Sequence, residues 1–199
     1  MQSTARLSGM VLIGVILSAC SKPKGSEYFP EASLGGRYEY SVEYRSLLSV
    51  EHASMVTRAD EQTTIQGKRY YKMVSTFIGI PGLDQQISYS RSTPEGVYLI
   101  DGDSMDKPEY LDTPLPVSVG SSWTSVGPSS RTTYHALDFE SVETGSEAFK
   151  NCLKVSFKTD GKTGASEGTE YLAPNIGMVR MSLTANGTPM TLTLVKYKK

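Results

Sequence analysis

Two histidines are the residues of this sequence best suited to acid–base chemistry. His52 and His135 are far apart, and each lies inside an alternating pattern typical of a strand. A general base must lie within hydrogen-bond reach of the proton it removes, and only a distant serine could serve as a partner of His135. The chain contains no Gly-rich phosphate loop, Cys-x-x-Cys pair or Gly-x-Ser-x-Gly elbow. The residues therefore predict no catalytic site, and we expect a protein that is not an enzyme.

The acidic segment DGDSMDKPEYLD, residues 101–112, is the best candidate for a metal site. Asp103 and Asp106 would be its ligands, because calcium prefers several oxygen ligands. The EF-hand pattern is not met, since Met105 stands where an oxygen ligand is required. We therefore expect a solvated acidic loop and no metal or other cofactor.

An apolar segment near the amino terminus ends at a cysteine. Residues 7–20 are apolar or small, and the polar residues SKPK follow at once. A spanning helix needs roughly 20 apolar residues, so this run fits a secretory signal better than a membrane span. Its end, Leu17-Ser18-Ala19-Cys20, resembles the lipobox of bacterial lipoproteins. The resemblance implies that residues 1–19 are removed as a signal peptide and that Cys20 is lipidated and acylated.

The same resemblance implies a location in the cell. Ser21 follows the cysteine in place of the aspartate associated with retention in the inner membrane. In a host with two membranes, this implies a lipoprotein anchored in the outer membrane and facing the periplasm. Each buried acyl methylene contributes about 0.8 kcal/mol, so several chains would hold the protein without a spanning segment. A plain signal peptide or an anchor helix that happens to contain a cysteine is the alternative.

Composition divides the remaining chain into a tether and one domain. Residues 20–36 are rich in Gly, Pro, Ser and charge, which predicts a flexible tether, although Tyr28 and Phe29 are apolar enough to pack on the domain. Residues 37–199 suffice for a single domain with a sizeable core. The formal net charge is -1 and no long block of like charge occurs, so no nucleic-acid partner is expected.

Period-two alternation dominates from residue 36 onward and predicts an all-β domain. In RYEYSVEYR, one face carries Tyr38, Tyr40, Val42 and Tyr44, and the other carries charged residues and Ser41. Turn signals such as STPEG, TDGKT and the Asn-Gly pair at residue 186 separate the runs. We expect a single antiparallel meander of about nine to eleven strands, strongly curved or forming a half-open barrel. Similar runs occupy residues 70–78, 86–91, 96–100, 131–142, 153–159, 179–184 and 190–197.

Cys152 is the second of two cysteines, and a lipidated Cys20 could not form a disulfide with it. Strict alternation in NCLKVSFK places Leu153 and Val155 on one face and Cys152 with Lys154 on the other. Unless a bulge intervenes, this predicts a thiol on the wetter face of the sheet. A structural or incidental role is expected, because no histidine lies near it in sequence.

Three segments of the carboxyl-terminal half resemble an uncharacterised group of β-rich bacterial envelope lipoproteins. They are LPVSVGSSW, NCLKVSF and EYLAPNIGMVR, within residues 110–180. Such domains also look like the half-open barrels of lipoprotein carriers and receptors, whose concave face holds acyl chains. That likeness concerns architecture, and function does not follow from fold.

The aromatic residues indicate what such a sheet could bind. Tyrosine combines apolar area with a hydroxyl group, which suits a partly wet cavity. We therefore expect a lipid-anchored, non-enzymatic binding module for an apolar ligand or a protein partner, with Tyr38, Tyr40 and Tyr44 at the site. The alternatives are that the rings only fill a core, that the protein has a structural or assembly role in an envelope complex, or that it is a metal-dependent hydrolase of the envelope.

Overall fold

The computed structural model describes residues 25–45, 49–80, 82–102, 105–145, 147–162 and 164–199. In these ranges the chain forms one 3₁₀ helix, Gly25–Tyr28, and a sheet of twelve strands. No helix among them is long and apolar enough to cross a membrane. The strands are β1 (Arg37–Arg45), β2 (Val50–Ile65), β3 (Lys68–Ile78), β4 (Gln85–Thr93), β5 (Gly96–Asp101), β6 (Tyr110–Pro114), β7 (Ser122–Val126), β8 (Ser130–Glu143), β9 (Ala148–Gly161), β10 (Gly164–Ala173), β11 (Gly177–Ala185) and β12 (Thr188–Lys198).

All twelve strands belong to one antiparallel sheet, in the order β6-β5-β4-β3-β2-β1-β12-β11-β10-β9-β8-β7. Every neighbouring pair is consecutive in the chain except β1 and β12, which join the two ends of the meander. The free edges are therefore β6 and β7, and they meet. Trp123 Nε1 on β7 donates to the backbone carbonyl of Asp112 on β6 at 3.1 Å, and Ser125 Oγ donates to Asp112 Oδ1 at 3.1 Å.

The result is a nearly closed barrel, which confirms the all-β prediction and the curved meander with slightly more strands than expected. β6 and β7 are short, and the sequence pattern gave no clear signal for either of them.

The alternating sequence of β1 gives this strand one buried face and one exposed face. Tyr40 and Val42 are buried, whereas Ser41 and Glu43 between them are exposed, as the sequence predicts. The hairpin between β11 and β12 also follows from sequence. Asn186 and Gly187 both have positive φ, 49° and 81°, which is the requirement of a type I′ turn.

The segment that precedes β1 packs against the barrel from residue 25 onward. Tyr28 is 1% exposed, and its hydroxyl donates to the backbone carbonyl of Asn151 at 3.0 Å. The backbone N–H of Asn175 donates to the carbonyl of Glu27 at 2.6 Å. A Cβ at Gly25 would overlap the backbone of Val117, so only glycine fits there. The second half of the predicted tether thus contributes to the hydrophobic core.

Cys152 does not lie on the wet face, so that prediction is wrong. The residue is 0% exposed, as is its neighbour Leu153, and two successive buried residues break the alternation of β9. The cause is an irregularity at Asn151, which has a φ of 55°, opposite a register shift between Glu140 and Val142 in β8. Leu153 keeps its predicted buried position, so the bulge turns Cys152 inward without moving the rest of the strand.

Candidate binding cavity

The barrel contains a cavity of about 340 Å³ that is partly open to solvent. Side chains or backbone from nine of the twelve strands line it, together with the segment before β1. Its volume lies near the lower end of the roughly 300–1,000 Å³ typical of small-molecule sites. Its wall is largely aromatic and aliphatic, with Phe29, Tyr38, Tyr40, Tyr134, Met73 and Met178 among the contributors.

Two of the three tyrosines proposed from sequence lie in this wall. Tyr40 is 6% exposed, and its hydroxyl donates to the backbone carbonyl of Met178 at 3.1 Å. Burial raises the pKa of both Tyr40 and Tyr38. Both hydroxyls therefore remain neutral hydrogen-bonding groups at physiological pH.

Tyr44, the third tyrosine, lies elsewhere. Its hydroxyl donates to the backbone carbonyl of Gly79 at 3.1 Å, and its ring borders a separate open groove beside Met190. The alternation of β1 places Tyr38, Tyr40 and Tyr44 on one face, as the sequence predicts. Because Tyr44 is four residues beyond Tyr40, roughly 13 Å along the strand, it reaches a different part of the molecule.

Two carboxyl groups face the cavity, and the sequence analysis assigned neither to a site. Asp112 on β6 accepts a hydrogen bond from Ser125 Oγ at 3.1 Å and one from Thr113 Oγ1 at 3.1 Å. Burial nevertheless raises the pKa of its carboxyl group. Glu170 on β10 points the same way as its cross-strand neighbour Val155, which is 0% exposed.

The position of Glu170 has a detectable sequence signal. In EYLA the glutamate lies two residues before Leu172, which is 4% exposed, so period-two alternation puts both on the inner face. A glutamate on an apolar face is rarely buried unless it is paired. The signal could be used only once the inner face of β10 was known.

The electrostatic character of the cavity is acidic. Burial, followed by the negative charge of Asp112, raises the pKa of Glu170 to about 8. The described residues that line the cavity include no lysine, arginine or histidine. Tyr134 stacks on Trp123 with ring centroids 5.0 Å apart, and burial raises the pKa of Tyr134 as well.

The residues considered for catalysis and for metal binding do not converge on this cavity. The His52 side chain is 74% exposed, with Nδ1 3.8 Å from Glu43. His135 is exposed, and its Nδ1 lies 2.7 Å from Ser122 Oγ on the neighbouring strand, with no carboxylate of the described residues beside the ring. Asp106 is exposed on the surface.

Two further candidates, Cys20 and Asp103, lie outside the described residues. Within the described part of the chain, no group of three or more His, Cys, Asp or Glu residues could hold a metal ion.

No protein-family model matches this sequence, and no curated protein is significantly similar to it. The fold, however, is similar to that of solved structures. One is a candidate exported protein with a YmcC-like fold from Bacteroides fragilis NCTC 9343, with a TM-score of 0.53 and 16% identity over 85% of this chain and 98% of that chain. Another is a candidate lipoprotein from Parabacteroides distasonis ATCC 8503, with a TM-score of 0.53 and 13% identity over 86% of this chain and 98% of that chain. At these identities the likeness concerns the fold.

Proposed function

We propose that this protein is a lipoprotein anchored at the periplasmic face of the outer membrane, and that its barrel binds a small apolar or amphipathic molecule without catalysis. The observation that carries the binding role is the cavity of about 340 Å³ with its aromatic wall. A barrel whose rings only filled a core would leave no space of this size. Its volume suits one small molecule rather than a lipid with several acyl chains.

The anchoring part of the proposal rests on Leu17-Ser18-Ala19-Cys20 and on the residue after it, Ser21. The descriptions of the two similar structures, one an exported protein and one a lipoprotein, are compatible with an envelope location. The strand topology adds support, because a nearly closed barrel can hold a ligand away from water beside a membrane.

Trp123 allows ligand binding to be measured without a label. It is the single tryptophan of the chain and stacks on Tyr134, which lines the cavity. The full chain, in nanodiscs of neutral lipid, should change its tryptophan fluorescence when 1-octanol is added, with saturation. Empty nanodiscs correct for partition of the alcohol into lipid.

A cavity-filling variant tests whether the probe enters this cavity. Ser90 lines it, so Ser90→Phe should reduce octanol affinity at least tenfold. Ser41→Phe is the matched control because Ser41 is exposed on β1, and it should bind normally. Saturable binding that both variants retain would place the probe elsewhere, and the absence of binding to the unaltered chain would contradict the proposed function.

Lipidation is tested separately in a bacterial host with two membranes. Cys20→Ala should accumulate as a larger, unprocessed species that takes up no acyl label. Ser18→Ala keeps a small residue in the motif and should be processed normally. A Cys20→Ala chain that is still processed and labelled would contradict the lipoprotein assignment.

A further inference from the structure

Glu170 and Asp112 form an unusual feature of this cavity, because they place two acidic groups in an otherwise aromatic and aliphatic wall. They come from β10 and β6, which are far apart in the sheet order and border the same cavity because the sheet closes on itself. Asp112 is held by two hydroxyl donors. The Glu170 carboxyl group accepts no hydrogen bond from any of the described residues.

An unpaired carboxyl group inside a barrel is costly when ionised. Proteins usually pair such a group with a lysine or an arginine, and the described residues of this wall supply neither. The accessible part of Glu170 borders the cavity, so a group inside the cavity can approach its oxygens. The missing partner is therefore one that a ligand can provide.

The aromatic wall suits the same kind of ligand. Tyr38, Tyr40 and Tyr134 present ring surface to the space that Glu170 and Asp112 border. Aromatic faces attract cations, and they also accept the apolar part of a ligand. An ammonium group has up to three N–H donors. The carboxyl oxygens of Asp112 and Glu170 can accept them, and no cationic side chain lines the described wall in their place.

We propose that the cavity selects an amphipathic ligand with an ammonium group, which binds between Asp112 and Glu170 while its apolar part lies among the tyrosines. This inference rests on the proposed function, since it names the class of ligand that the same cavity takes. Neutral and anionic amphiphiles of equal length are bound more weakly, because they leave the carboxyl pair uncompensated or add a like charge.

Binding should be coupled to proton release near neutral pH. With a pKa of about 8, Glu170 is largely protonated at pH 7 in the empty cavity, and a cation beside it favours the ionised form. Up to about one proton should therefore leave as the ligand binds. The other titratable groups near the pair are tyrosine hydroxyls. Burial raises their pKa values, so they stay neutral at this pH; the residues are Tyr38, Tyr40, Tyr110 and Tyr134.

The test compares octylammonium, 1-octanol and octanoate on the full chain in neutral nanodiscs at pH 7, by Trp123 fluorescence and by calorimetry. Octylammonium should bind at least tenfold more tightly than octanol, and octanoate should bind most weakly. Heats measured in phosphate and in Tris should differ by the difference between the ionisation enthalpies of the two buffers, multiplied by the number of protons released.

Glu170→Gln keeps the shape of the side chain and removes its charge. It should bring the affinity for octylammonium down to within about threefold of that for octanol and abolish proton release, while octanol binding persists. Glu167→Gln, an exposed position on the same strand, is the control and should behave as the unaltered chain.

The two proposals fail in different ways. If octanol binds in the cavity but octylammonium is not preferred, or if Glu170→Gln keeps the preference, the ammonium site is wrong and the binding role stands. If none of the three probes binds, the binding role itself is wrong and the ammonium site falls with it.

Discussion

At the scale of single residues, Cys152 illustrates how burial controls reactivity. Its Sγ lies 3.6 Å from the carbonyl of Phe149 in the hydrophobic core, and burial raises the pKa of the thiol to about 11. The thiolate is the reactive form, so a polar maleimide should label Cys152 at least a hundredfold more slowly in the folded chain than in urea. Cys152→Ser measures background labelling, and equal rates in both states would show that the site is open.

Glu170 makes the stability of the empty protein depend on pH. Its pKa is about 8 in the folded chain against the ordinary glutamate value of 4.5, so the folded state binds the proton more tightly than the unfolded state. The stabilisation from the protonated form is complete below about pH 4.5 and is lost as pH rises through about 8.

We expect Glu170→Gln to be more stable than the unaltered chain at pH 8.5 by a few kcal/mol, and nearly equal to it at pH 5. Urea unfolding of both chains at the two pH values measures the difference. Glu167→Gln should show no such gap. If the two chains differed in free energy of unfolding by the same amount at both pH values, the pKa of Glu170 would not be raised by folding.

At the scale of elements, Glu109 attaches the beginning of β6 to β3 and β4. Arg91 on β4 donates to both carboxylate oxygens at 2.5 Å, and Lys68 and the hydroxyl of Tyr70 on β3 donate as well. The Arg91 guanidinium lowers the pKa of Glu109 to about 2. Since the folded pKa lies below the ordinary glutamate value of 4.5, the stabilisation is present above about pH 4.5 and is lost as pH falls through about 2.

Glu109→Gln should lower the free energy of unfolding at pH 7 by about 2–3 kcal/mol, because it leaves the mostly buried Arg91 without its partner. The loss should shrink as pH falls from about 4.5 towards 2, because the Glu109 carboxylate of the unfolded chain takes up a proton in this range and the folded one does so only near pH 2. Asp106→Asn, on the exposed loop nearby, should change stability by less than about 0.5 kcal/mol. Urea titrations at pH 7 and pH 2.5 compare the three chains, and equal stability at pH 7 would contradict this role.

Elements with a regular pattern were predictable from sequence, and those shaped by irregularities were not. The alternation of β1 and the Asn186-Gly187 turn follow from local rules about side-chain direction and positive φ. The inward turn of Cys152 depends on a bulge at Asn151. The alternation rule allows for a bulge as an exception, but the local sequence does not indicate where one occurs.

The site was only partly predictable for a related reason. Tyr38 and Tyr40 could be proposed because their strand face is evident, whereas Asp112 and Glu170 meet through closure of the sheet. That meeting depends on the pairing of β1 with β12 and on the approach of β6 to β7. Both contacts join strands that are distant in sequence or lack a regular ladder, so no local sequence pattern predicts them.

At the scale of the whole molecule, the approach of β6 to β7 distinguishes a curved sheet from a barrel. This contact has no ladder of paired backbone groups, and the hydrogen bonds to Asp112 from Trp123 Nε1 and Ser125 Oγ cross it. The opposite join, β1 with β12, is a continuous antiparallel ladder. The barrel should therefore open at β6 and β7 before it opens anywhere else.

Trp123→Phe tests this because it keeps an aromatic ring beside Tyr134 and removes the N–H that donates to Asp112. One hydrogen bond contributes about 0.5–1.5 kcal/mol, so exchange of the amide hydrogens in β6 and β7 should accelerate by roughly three- to tenfold. Amides of β1 and β12 should keep their protection, and Thr124→Ser, which keeps a hydroxyl at an exposed position on β7, should leave both pairs unchanged. Hydrogen exchange followed by mass spectrometry resolves the two regions. Uniform acceleration throughout the sheet would show that the molecule opens as one cooperative unit, and that its weakest join does not lie between β6 and β7.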